Sequence, residues 1–218
     1  MKIRIAVLVL LALVLGFARP ATAGPNANAK ILLNVRASST HNLLLCSEPT
    51  GAPPNCSAIN TSGKVTPVNT FGQYVYLLIA DADGVGQMNC GINFTGIDPS
   101  FYSWYLCADA DTTTNGWTSS GNLITWNTCQ SGLIICAGYF YVGAYTPCQL
   151  QVVPDPADGL ATVTDCSGNV DVASGHDVSH LGLVNFSVGA AIPGFNPCGL
   201  NTPVMNSSWS KIKATYTH

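Results

Sequence analysis

Residues 73–80 read QYVYLLIA, with an apolar or aromatic side chain at every position after Gln73. The run is short and rich in β-branched and aromatic residues, so it predicts a strand buried on both faces, with the rest of the chain packed around it. Asp81-Ala82-Asp83-Gly84-Val85-Gly86 follows, and this is turn chemistry. Glycine supplies positive φ and aspartate caps its own backbone. Then Met88, Cys90, Ile92 and Phe94 alternate with Asn89, Gly91 and Asn93. That period of two predicts a strand with an apolar face in and a polar face out. One central strand and one half-exposed strand are the ingredients of a sandwich.

The other segments have the same character. Residues 30–36 (KILLNVR) form the first strand candidate, and 43–46 read as its continuation after a polar break. Further candidates are 101–107 (FYSWYLC), 122–126 (NLITW), 133–145 (LIICAGYFYVGAY), 149–153, 161–166 and 183–188. Gly138 and Gly143 predict bends or a bulge in the long apolar run, and 149–153 is expected to pair with that run as a hairpin. There is no internal repeat and no long segment of 3.6 period. The expected fold class is therefore all-β, a disulfide-stapled antiparallel β-sandwich with a short C-terminal helix or tail. The sandwich is assigned to residues 24–200 and the tail to 201–218. In the tail, Trp209, Ile212 and Tyr216 fall on one helical face, Lys211 and Lys213 lie on another, and Ser207 or Ser208 stands at the N-cap. Alone it is too short to be a stable helix.

The N-terminus carries an address. Lys2 and Arg4 precede an apolar stretch over 5–17, and Ala21-Thr22-Ala23 is a small-x-small cleavage site before Gly24. The stretch is shorter than the ~18 residues of a membrane span. Residues 1–23 thus read as a cleaved signal peptide, and the product as secreted, extracellular or cell-surface, with no transmembrane segment in the mature chain. From Gly24 onward the chain keeps five Lys/Arg and all eleven Asp/Glu, a net charge of −6. So acidic and cation-poor a chain excludes nucleic acid as a partner. Only 9% of residues are charged, against a typical ~25%. The surface must therefore be built from Ser, Thr, Asn, Gly and Gln.

All nine cysteines lie beyond the signal segment. With an export signal, disulfides are the default reading. No C-x-x-C pair is present, which argues against zinc-ribbon or thioredoxin chemistry. Spacing does not determine connectivity. The pairs expected are Cys46–Cys56, Cys107–Cys129 and Cys166–Cys198. An odd count leaves at least one thiol free or joined to another chain by an intermolecular disulfide.

The strings VYLLIADADGVGQMNCGINF, WYLCAD, ITWNTCQ, AGYFYV and GFNPC, with the tail WSKIKATY, resemble a group of uncharacterised secreted proteins from environmental bacteria. The resemblance spans roughly residues 30–216 and implies a secreted β-sandwich. The strand–turn–strand is also similar, more distantly, to the opening of cohesin-like and carbohydrate-binding-module-like sandwiches. A bacterial source would leave the sequons at Asn55, Asn60, Asn93, Asn185 and Asn206 without the glycosylation they would carry in a eukaryotic secreted protein.

Candidate chemistry is sparse. His176 and His180 stand at i, i+4, as in H-E-x-x-H, but Asp177 replaces the glutamate and the glycines on either side oppose a helix. A structural loop is the plainer reading. The pairs Asp81/Asp83 and Asp109/Asp111 offer oxygen ligands at i, i+2. They read either as turn-capping aspartates or as calcium ligands, calcium being the one cofactor the sequence suggests. One glutamate, Glu48, sits in a Pro-rich loop, which disfavours glycosidase chemistry. No G-x-S-x-G occurs. Trp117, Tyr102 and Tyr105 are the ligand-binding candidates, because flat rings on an uncharged surface suit sugar stacking. Core packing is the alternative for any of these rings, above all for Trp104 and Trp126. The catalytic assignment is none. The function expected is a non-enzymatic surface-structural, adhesion or ligand-binding protein with a glycan or cell-surface partner. The alternatives are a carbohydrate-binding module and, behind it, a secreted hydrolase.

Overall fold

The computed structural model describes residues 24–37, 46, 56–66, 72–96, 102–112, 117, 121–173 and 180–199. The signal segment, His176, residues 43–45, the loop containing Glu48 and the tail 201–218 lie outside the described residues, as does the side chain of Tyr102. The strands are β1 (Lys30–Ala37), β2 (Ser62–Lys64), β3 (Gln73–Ala80), β4 (Val85–Thr95), β5 (Tyr102–Leu106), β6 (Ala110–Asp111), β7 (Asn122–Gln130), β8 (Ile134–Val142), β9 (Cys148–Val153), β10 (Thr162–Asp165), β11 (Val170–Val172) and β12 (Leu183–Ser187). Two short 3-10 turns, Cys56–Ala58 and Pro197–Gly199, supply the helical content among the described residues.

The strands form two sheets. The smaller has the order β1-β3-β8-β5 and is antiparallel throughout. The larger follows β11-β10-β4-β9-β12-β2, with β7 joined to β4 and β6 to β7. Every residue of β3 is buried, as the apolar run predicts. The turn at 81–84 is closed by positive φ at Asp81 and Gly84, and β4 then alternates inward Met88, Cys90 and Ile92 with outward Asn89 and Asn93.

β3 and β4 are consecutive but lie in different sheets, and β9 pairs with β4 and β12 rather than with β8. The expected hairpin of 149–153 with the long apolar run is therefore corrected. The reason is sidedness. β3 and β8 are apolar on both faces, so they pair with each other from Gln73↔Val142 to Ala80↔Ile134, where both faces are covered. β4 and β9 carry amides at alternate positions and belong in a sheet with one face in water. The register shifts between Leu77 and Leu78, opposite Gly138 and Cys136, leaving Ala137 as the bulged residue. Glycine at 138 is demanded by close approach, since a Cβ there would stand 2.3 Å from the Trp104 indole.

The main core lies between the sheets and contains Leu33, Val75, Leu77, Trp117, Phe140, Val152 and Phe186. A second apolar layer covers the far side of the smaller sheet, built from Leu32, Tyr74, Tyr76, Leu78 and Tyr139. Two of the three disulfides reach this layer.

The bridges are Cys46–Cys107, Cys56–Cys198 and Cys129–Cys166. None of the expected pairs Cys46–Cys56, Cys107–Cys129 or Cys166–Cys198 forms. The partners are set by strand ends that meet in space. Cys56 and Cys198 join the two 3-10 turns, and Cys129 at the end of β7 meets Cys166 just beyond β10. Cys90, Cys136 and Cys148 remain as thiols. In a chain-entropy account a bridge stabilises more as the loop it closes lengthens. Cys56–Cys198 spans 142 residues and Cys129–Cys166 spans 37. Replacing the first pair by serines should lower the unfolding free energy by about 3–5 kcal/mol, about 1 kcal/mol more than replacing the second. Denaturant titration of the oxidised proteins measures both.

Candidate functional site

The aromatic platform expected of Trp117, Tyr102 and Tyr105 does not form. Trp117 is 2% exposed and packs edge-on to Trp104 and Phe140, with ring centroids 5.2 and 5.7 Å away. Tyr105 projects to the opposite side of the smaller sheet, stacked on Tyr139 at 4.9 Å and 20°. Strand alternation is the cause. Trp104 and Tyr105 are adjacent, so one points into the main core and the other out of it.

The aspartates are held by separate partners. Asp81 makes an ion pair with Lys30. The backbone N–H of Asp83 donates to Asn26 Oδ1 at 2.7 Å. Asp109 Oδ2 accepts the Asn127 N–H at 2.7 Å. Asp111 Oδ2 accepts Trp104 Nε1–H at 2.9 Å and Asn122 Nδ2–H at 3.1 Å. Among the described residues no three His, Cys, Asp or Glu side chains gather. His180 Nδ1 donates to the Ala29 carbonyl at 3.1 Å, which fixes its tautomer.

What the fold does assemble is the outer face of the larger sheet. Outward positions of β4, β9 and β12 align in rows across the strands. Thr95 stands opposite Gln149, and Gln149 opposite Asn185. Asn93 stands opposite Gln151, and Asn89 opposite Thr162 of β10. Gln87 lies between Thr164 and Thr125. These side chains are all amides or hydroxyls, and none of them is ionisable. At one end of the face the 188–192 loop folds back, because Ser187 Oγ donates to the Ala190 carbonyl at 3.0 Å and accepts the Ile192 N–H at 3.2 Å. The result is a hollow of about 450 Å³ walled by Thr95, Pro147, Gln149, Asn185, Ser187 and Ile192. A smaller hollow of about 270 Å³ lies among Gln87, Thr125, Asn127 and Thr164, beside the Cys129–Cys166 bridge.

Asn185 Nδ2 donates to the Pro193 carbonyl at 2.9 Å, but its Oδ1 is buried with no hydrogen-bond partner among the described residues. Asn89 Oδ1, on the same face, is in the same state. A buried acceptor without a donor costs free energy. Among these residues, the sequence reading identified only Asn89 and Asn93 as the polar side of an alternating strand. Gln149, Gln151 and Asn185 carried the same period-two signal, which was legible but not assembled into a surface.

Burial holds the three thiols protonated. Burial pushes Cys90 far above its ordinary range, Cys136 to about 12 and Cys148 to about 11, from an ordinary value of 9.0. Burial also pushes the Tyr76 phenol to about 12, opposed in part by Arg36. Low-pKa, accessible thiolates are what nucleophilic cysteines require, and these have the opposite character. Each group stays neutral in the fold at a pH where it ionises in the unfolded chain. Stability is thus fully present below pH ~9 and falls as pH rises toward 11–12. Thermal melts from pH 7 to 11 should show this decline. Iodoacetamide at pH 8 should label the buried Cys90 and Cys148 only after denaturant is added.

The fold and face together define an all-β, disulfide-bridged sandwich with one sheet face rich in neutral polar side chains. No protein-family model and no curated protein matches the chain. Among solved structures it is similar to a cohesin module from Clostridium perfringens ATCC13124 family 33 glycoside hydrolase, at 10% identity and a TM-score of 0.35, over 60% of this chain and 98% of that one. At that TM-score the likeness carries no functional argument. Among the described residues no helix is long and apolar enough to cross a membrane.

Proposed function

We propose that this chain is an exported, non-enzymatic binding module that holds a neutral, hydroxyl-rich ligand, a polysaccharide, on the outer face of its larger sheet. The carrying observation is the array Asn89, Asn93, Thr95, Gln149, Gln151 and Asn185, aligned across three strands and free of ionisable groups. Amides donate and accept at once, as sugar hydroxyls do. The ionisable group that flanks the array is Lys64 of β2, opposite Ser187, and one cation gives little long-range attraction to nucleic acid or acidic peptides. The hollow beside Asn185 supplies depth, and the exposed Thr95 and Gln149 on its wall supply a hydroxyl and an amide for ligand hydroxyls. Export is supported by the leader sequence and by three intrachain bridges, which persist in oxidising compartments.

Co-sedimentation with insoluble cellulose, chitin and starch tests the reading. The wild-type protein should partition onto at least one of them. Gln149→Ala and Asn185→Ala should each weaken that binding by about tenfold, the loss expected when one or two ligand hydrogen bonds are removed. Leu133→Ala, on the exposed 131–133 turn, should leave it unchanged. Binding by wild type that both face substitutions leave intact would overturn the assignment to this face. Concentration-dependent self-association without polysaccharide binding would point instead to a surface-structural role.

A further inference from the structure

The first described residues fold against a buried carboxylate. Asp171, on β11, is 8% exposed. Its Oδ1 accepts the Gly24 N–H at 3.0 Å and its Oδ2 accepts the Asn26 N–H at 2.9 Å. The fit is close, since a Cβ at position 24 would stand 2.3 Å from both carboxylate oxygens. Asn26 is itself fully buried, and its side chain accepts the Asp83 N–H, so the turn is tied to the start of β4 as well. Among the described residues no Lys, Arg or His side chain pairs with Asp171. A buried carboxylate that meets only neutral amide donors lacks a counter-charge, which a low-dielectric setting makes costly.

Independently, the sequence places a small-x-small cleavage site that ends at Ala23. The nitrogen that Asp171 holds is the one that cleavage would free. We infer that hydrolysis of the Ala23–Gly24 bond creates an α-ammonium on Gly24 that pairs with the Asp171 carboxylate and locks the N-terminal turn onto the sandwich. Water adds across the amide. Its hydroxyl goes to the Ala23 carbonyl carbon and its proton to the Gly24 nitrogen, which takes up a second proton from solvent at neutral pH. The nitrogen already lies at ion-pair distance from Oδ1, so the pair forms without rearrangement. An uncleaved chain presents Asp171 with an amide, and the processed chain presents it with a cation. Processing therefore tightens the fold at β11. The inference rests on the export reading and adds to it a chemical role for the new terminus.

N-terminal sequencing of the exported protein should read Gly-Pro-Asn-Ala, and any other first residue overturns the inference. A double-mutant cycle then isolates the pair. One arm compares chains that begin at Gly24 with chains that carry one extra alanine before it. The other compares Asp171 with Asp171→Asn, which keeps the shape and an acceptor oxygen but removes the charge. With Asp171 present, the extra alanine should raise the unfolding equilibrium constant about tenfold or more. With asparagine it should change that constant less than about twofold. Equal effects in both backgrounds would overturn the pair, while a Gly24 terminus would leave export standing. If Asp171→Asn does not fold, α-acetylation of Gly24 in the wild-type protein replaces it. Acetylation must then cause the same tenfold loss, and an unchanged stability overturns the pair.

Discussion

The pairing of β3 with β8 is the constraint on which the other elements depend. Both strands are apolar on both sides, and eight residue pairs join them across one bulge. A sheet with such a centre needs cover above and below. The larger sheet supplies one cover and buries the main core. The tyrosine-rich layer, with the bridges at Cys46–Cys107 and Cys56–Cys198 beside it, lies on the other side. The bulge at Ala137 and the missing side chain at Gly138 adjust this pair locally, giving the Trp104 indole room to lie over the strand.

Sidedness separates the interior from the face that meets solvent. In the larger sheet, inward positions are mostly aliphatic or aromatic, and outward positions of β4, β9 and β12 are mostly amides and hydroxyls, with Leu183 and Val153 among them. With only 9% of residues charged, solubility falls to neutral polar groups, and charge is confined mostly to turns and edges. The same economy shapes the interior. The buried carboxylate of Asp171 is satisfied by backbone donors, and the three thiols are held neutral by burial.

The sequence by itself determined the class of fold and the location of most strands. Period-two alternation and short, fully apolar runs are local signals, and β1, β3, β4, β5, β8, β9 and β12 follow them closely. The short strands β2, β6 and β11 carry only two or three residues each, too few for any period to register. Oxidised cysteines and a polar outward side to β4 were likewise readable one segment at a time. Tertiary structure alone decided which strands are neighbours, which cysteines meet and which rings are buried. Cys46 lies ten residues from Cys56, yet each bonds a partner brought to it by a strand end or a turn from elsewhere in the chain. Trp117 sits in a polar stretch, yet it fills the core beside Phe140. The polar face was invisible for the same reason. Its residues obey a local rule on each strand, but the surface exists only in the register between strands, and register is a property of the packed sheets.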